Sequence, residues 1–315
     1  MNRALFRFMA GVAAGLVLTT AAPPALLAQP SDDRSPAVAN EAISDRVDKA
    51  FAALRAGDST LAGGLEEAGP AIIPLVARYL KDDNEDVRRQ AVTLLGLTKS
   101  ADAAPHLAMA LSDSSDDIVR RASTALYELG GDAVSDASVG KALTASVLGG
   151  NTAGGAILLL GYISGQGSAA ALKGLKDRSG GQSTEVYRWS PVVPVSFAAD
   201  VALARLSDKP AADRVLSATK GGDLNTLLFL LYALRDIEDK QVLRALADAT
   251  LADDRPTSGD APSGADLGIR LADVAAAQFV QRFDLSVAVD DTADRPLTDA
   301  ELTAVRDAVT ARLKN

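Results

Sequence analysis

His106 is the only histidine of the chain, and there is no cysteine. A zinc ion held by one imidazole needs two or three carboxylates beside it, and without a thiol there is no thiolate nucleophile and no disulfide. His106 is the one obvious general base, but it follows Pro105 in "PHLAMAL", and nothing in the sequence places a serine and an aspartate around it. The acidic turns "DDNED" (82–86), "DSSDD" (113–117) and "DDTAD" (290–294) invite a calcium reading. They lack the central glycine and the glutamate twelve residues in that an EF-hand loop requires. "GYISGQG" (161–167) holds a G-x-G, yet no strand precedes it and no phosphate-loop or nucleophile-elbow pattern occurs. The residues therefore point to no catalytic group, no metal and no cofactor. What remains is recognition chemistry: Tyr187, Arg188 and the only tryptophan, Trp189, stand together in "STEVYRWSP". Tyr, Trp and Arg are the types most enriched at interface hot spots. The arginine pairs Arg88–Arg89 and Arg120–Arg121 are a second candidate, either as structural ties or as a basic strip gripping an acidic partner.

The elements that position these residues are legible as an internal repeat. Residues 71–101 set over 102–132 without a gap align Pro74 with Pro105, Leu80 with Leu111, Asp82 with Asp113, Asp86 with Asp117, Ala91 with Ala122 and Leu95 with Leu126. Proline suits the first turn of a helix, where its missing N–H costs nothing. Asp86 and Asp117 stand where a second helix begins and are expected to cap it. Val87, Ala91, Leu94 and Leu95 then share one helical face, as do Ile118, Ala122, Leu126 and Leu129. Such a helix pair cannot bury its apolar stripe alone and must stack on a copy of itself. Degraded versions follow down the chain, with Pro210 again at a helix start, and Thr298 with Glu301 form a capping-box pattern before the last helix. The expectation is all-α: a right-handed α-solenoid of six or seven stacked antiparallel helix pairs over 41–315. It carries insertions near 178–193 and 253–264 and a C-terminal capping helix over 298–313.

The first 28 residues read as an export signal, with Arg3 and Arg7 before the apolar "FMAGVAAGLVL" and cleavage after Ala28; an uncleaved anchor is the alternative. Residues 29–40 are polar and expected to be disordered. Cleavage removes two bases and no acid, leaving 30 against 41, a net charge of −11. A chain this acidic is a poor ligand for a phosphate backbone, so nucleic acid is not an expected partner. No membrane span is expected after cleavage, and the location read from the signal is periplasmic or secreted.

"PLVARYLKDDNEDVRRQAVTLLGL" and "PHLAMALSDSSDDIVRRASTALYELG" resemble the HEAT-repeat family, in particular its short bacterial HEAT-like repeats. The resemblance covers 71–132. It implies that the arginine early in the second helix bonds the turn aspartate of its own or a neighbouring repeat: Arg88 with Asp82 or Asp86, Arg120 with Asp113 or Asp117. The repeat, the export signal and the missing catalytic apparatus together point to a non-enzymatic scaffold of the bacterial cell envelope that binds a protein or peptide on a concave face lined by second helices, or through the 178–193 loop. Two other readings stand beside it. Repeats of this short type resemble those of bilin lyases, which would make the chain an enzyme or enzyme subunit, and a structural spacer in an envelope assembly needs no partner site.

Overall fold

The computed structural model describes residues 36–187, 190–257, 268–287 and 296–314. The expected signal over 1–28, the first part of the expected disordered stretch, most of the 253–264 insertion, and Arg188 and Trp189 lie outside them. The described residues hold fourteen α-helices, numbered here in chain order, and two strands of two residues each. They fall into two compact units that divide after Ala103. Among the described residues no helix is long and apolar enough to cross a membrane.

In the first unit, α1 (Pro36–Arg55) precedes 3-10 turns, the short α2 (Ile73–Ala77) and α3 (Glu85–Leu97). Helix α1 begins inside the stretch expected to be disordered. Pro74 stands in the first turn of α2, as its imino nitrogen requires. Val47, Phe51, Ile72, Val76, Val87, Ala91 and Leu95 have almost no exposed surface and form the core. Phe51 stacks on Tyr79 with ring centroids 3.9 Å apart. The start of α3 corrects the sequence reading. The capping side chain is Asn84, whose extended backbone leaves its oxygen free to accept from the Asp86 N–H at 2.8 Å. Asp86 is already inside the helix and pairs with Arg89.

In the second unit, first helices α4 (Ala104–Ala110), α6 (Ala137–Leu148) and α8 (Gln166–Arg178) pack in succession. So do second helices α5 (Asp116–Leu129), α7 (Gly154–Leu160) and α9 (Val195–Arg205). Further along, α10 (Lys209–Gly221), α12 (Lys240–Thr250) and α14 (Asp299–Lys314) pack in one layer, and α11 (Leu224–Tyr232) packs on α13 (Leu271–Phe283) in the other. Every residue of α7 is buried, as are Leu227–Leu231 of α11. Uninterrupted apolar runs of this kind fit a layer covered on both sides rather than an amphipathic surface helix. Gly155 explains how close the layer packs: a Cβ there would lie 2.7 Å from the Ser123 carbonyl oxygen of α5. Asp200 of α9, almost wholly buried, accepts from Arg214 of α10 at 2.7 and 3.0 Å and pairs with Lys176 of α8. The capping box before α14 is formed, with the Thr298 N–H on Glu301 Oε2 at 2.6 Å and the Glu301 N–H on Thr298 Oγ1 at 3.3 Å.

Candidate partner-binding site

Second helices of unit 2 end in polar and aromatic residues, and the ends converge. Tyr127 closes α5, Tyr162 follows α7, Arg205 ends α9, and Tyr232 ends α11 ahead of a 3-10 turn, Leu234–Asp236. Asp236 is fully buried. Its two carboxylate oxygens accept from the Tyr127 hydroxyl at 2.5 Å and the Tyr162 hydroxyl at 2.6 Å. The Arg235 guanidinium lies 3.8 Å over the Tyr127 ring and donates to the Tyr127 carbonyl; the Arg205 guanidinium lies 3.8 Å over the Tyr162 ring. Arg205 also donates to the carbonyls of Arg235 and Asp236, both at 3.4 Å, and to Glu238 at 2.8 Å. The last carbonyls of a helix lack intrahelical partners, and a cation there also meets the negative end of the helix dipole. Burial raises the hydroxyls of Tyr127, Tyr162, Tyr187 and Tyr232, so all four remain protonated donors at neutral pH. Burial also raises the Asp236 carboxyl, against the opposing pull of Arg235 and the two hydroxyls. A carboxylate with no exposed surface reaches no substrate, so the cluster locks helix ends together rather than presenting a reactive group.

The insertion between α8 and α9 lies on this same layer. Its stem is a two-residue ladder, β1 (Ser183–Thr184) against β2 (Val193–Pro194), antiparallel, with Ser183 opposite Pro194. Strand β2 packs on both α9 and α11. The Thr124 hydroxyl of α5 donates to the Val186 carbonyl at 3.5 Å, and Arg120 of α5 is 3.8 Å from Glu185. Tyr187 sets its ring 5.8 Å from that of Tyr127 and 6.5 Å, edge-on, from that of Tyr232. Ser190 closes the turn, its oxygen accepting from the N–H groups of Val186 and Tyr187, both at 3.1 Å. Val192, by contrast, is about half exposed (52%).

The other expected site residues fall as follows. Asp82 accepts from Arg55, the last residue of α1, at 2.5 and 3.0 Å, and Arg88 donates to the carbonyls of Asp82 and Asp83 at 2.9 and 3.2 Å. Asp113 accepts from the Ser115 N–H at 2.9 Å, and Asp117 pairs with Arg120 and with Arg121, the latter at 2.7 Å. His106 is half-buried on α4. Among the described residues no group of His, Asp or Glu is placed to hold a metal ion. An open groove of about 850 Å³ beside the cluster is lined by Tyr162, Lys173, Arg205 and Glu238 among others. Its charges are matched, Lys173 with Asp208 at 2.9 Å and Arg205 with Glu238 at 2.8 Å. Sequence reasoning found Tyr187 but missed Tyr127, Tyr162, Arg205, Arg235 and Asp236. The available signal was "LLFLLYALRD", an apolar helix that runs straight into an Arg-Asp pair.

Residues 48–127 match the family model described as HEAT repeats. Among curated proteins nothing matches the chain. Among solved structures it is similar to the complex of CpcE and CpcF of phycocyanin lyase from Nostoc sp. PCC7120, at 18% identity and a TM-score of 0.47, covering 91% of this chain and 100% of that chain.

Proposed function

We propose that this helical-repeat chain is an exported, non-enzymatic interaction scaffold of the bacterial cell envelope. It binds a protein or peptide partner at the second-helix face of unit 2, where the 178–193 insertion lies. The observation that carries the reading is the seating of that insertion. A long connection held on a rigid helical layer is where binding residues are commonly displayed, and this one brings Tyr187 against two further tyrosines, Tyr127 and Tyr232. Half-exposed Val192, on the same insertion, is the kind of apolar residue a partner covers. Export is supported by Arg3 and Arg7 ahead of an apolar run that ends in "PPALLA".

The test is to express the full chain with a C-terminal tag in a bacterial host and recover it from the envelope fraction at physiological salt. The expected result is a mature N-terminus at Gln29 and one protein co-eluting in stoichiometric amount. Recovery from the cytosol with Met1 intact would remove the envelope assignment, and elution alone would remove the scaffold reading.

A further inference from the structure

We propose that the second-helix face of unit 2 is a recognition site for an extended peptide segment presenting a tyrosine, and that the chain's own residues 183–187 fill it in cis. This rests on the interaction reading above and names the ligand chemistry of the same site.

The face is built by residues remote in sequence from the segment they hold: Arg120, Thr124 and Tyr127 from α5, Gly154 from α7, Tyr232 from α11 and Arg235 just beyond it. Gly154 leaves the backbone of α7 bare where the segment crosses. A Cβ there would lie 2.6 Å from the Glu185 carbonyl oxygen and 2.9 Å from its carbon, a collision with backbone that no side-chain adjustment relieves. Thr124 reads the Val186 carbonyl, Arg120 faces the Glu185 carboxylate, and the Tyr187 ring enters between Tyr127 and Tyr232. Val186 is 2% exposed. The segment's own structure is a ladder two residues long, in which Pro194 has no N–H to donate, and the turn closed by Ser190 on the Val186 and Tyr187 N–H groups. Beyond that turn, its Val186 carbonyl and its side chains meet the face as a bound peptide meets its receptor: main-chain groups give affinity, and a side-chain pocket gives specificity.

A tethered segment competes at an effective concentration of order millimolar. A free segment of the same chemistry therefore meets a site mostly occupied, and its apparent dissociation constant is the intrinsic one divided by the open fraction. Weakening the cis segment without altering the face should raise affinity in trans.

The experiment titrates a fluorescent peptide of residues 181–187, "GQSTEVY", into full-length wild type, Tyr187→Ala and Gly154→Val, read by fluorescence anisotropy with far-UV circular dichroism as the folding control. Tyr187→Ala should bind at least about tenfold more tightly than wild type. A peptide with alanine at its tyrosine position should not bind, and Gly154→Val, which blocks the seat itself, should bind neither peptide. Absence of peptide binding to a natively folded Tyr187→Ala overturns the proposal, as does equal binding of the two peptides. Should Tyr187→Ala fail to fold, hydrogen exchange on the wild type decides. The Val186 and Tyr187 amides should exchange faster than those of α7, through local release of the segment; exchange only together with α7 means a permanent structural fixture and overturns the proposal. Failure to capture an envelope partner while the peptide binds would sink the partner reading alone.

Discussion

Asp236 draws its two hydroxyl donors from 109 and 74 residues away in the chain, Tyr127 and Tyr162. No local pattern encodes that meeting, which is why the cluster was invisible in a repeat alignment that compares each residue with one a period away. The energetics are nonetheless those of any buried carboxylate: it needs its donors, and each donor needs it. Tyr127→Phe removes one donor and should cost about 1.5–3 kcal/mol. Asp236→Ala strands two buried hydroxyls and the adjoining Arg235 and should cost more, about 3–5 kcal/mol. Urea unfolding midpoints of the two variants check the order; equal midpoints for Asp236→Ala and wild type would remove the cluster as a lock. Tyr187 was legible as a candidate because Tyr, Arg and Trp stood together in an interruption of the repeat. That its ring faces inward onto Tyr127 and Tyr232 was not.

Helices were read more successfully than their ends. Pro74, Pro105 and Pro210 all stand in the first turn of a helix, and the Thr298–Glu301 box forms as its spacing predicts. The caps of α3 and α5 were misplaced because an acid just inside a helix and an acid just before it look alike in sequence. Only the extended backbone of Asn84 and Ser115 distinguishes the cap. The spine of α5 is firmer: Leu126 has no exposed surface. Leu126→Ala should cost about 2–5 kcal/mol, seen as a lower denaturant midpoint at unchanged slope. The turns add a pH dependence. Hydrogen bonds from Arg55, Lys173 and Arg255 lower the carboxyls of Asp82, Asp208 and Asp253 below their ordinary value. A carboxyl lowered by folding stabilises the fold at pH above the unfolded value of about 4, and that contribution is lost as pH falls through the folded value. Asp236, raised by burial, acts in the opposite sense. Asp58, Asp136 and Asp223 are lowered too, by hydrogen bonds from Thr60, Ser138 and Thr226, so six depressed groups stand against one and melting temperature should be flat from about pH 7 to 5 and drop below about pH 4.

At the scale of the whole molecule, the repeat was the most legible feature and the least informative about function. A stack of helix pairs follows from near-copies that cannot bury their stripes alone, and the match of residues 48–127 to HEAT repeats lies over that part of the chain. What distinguishes this chain is the place where the repetition fails, between α8 and α9, and there the structure alters the expectation. The second-helix face of unit 2, expected to await a partner, already carries the chain's own insertion. In the proposed reading, function turns on how a partner meets that occupied face. Capture of the proposed envelope partner by wild type and by Gly154→Val, side by side at physiological salt, tests this most directly, because a Cβ at residue 154 collides with Glu185 and disturbs both insertion and face. The account predicts stoichiometric capture by wild type and at least about tenfold less by a natively folded Gly154→Val, a loss of 1.4 kcal/mol or more in binding. Equal capture by the two proteins would contradict it.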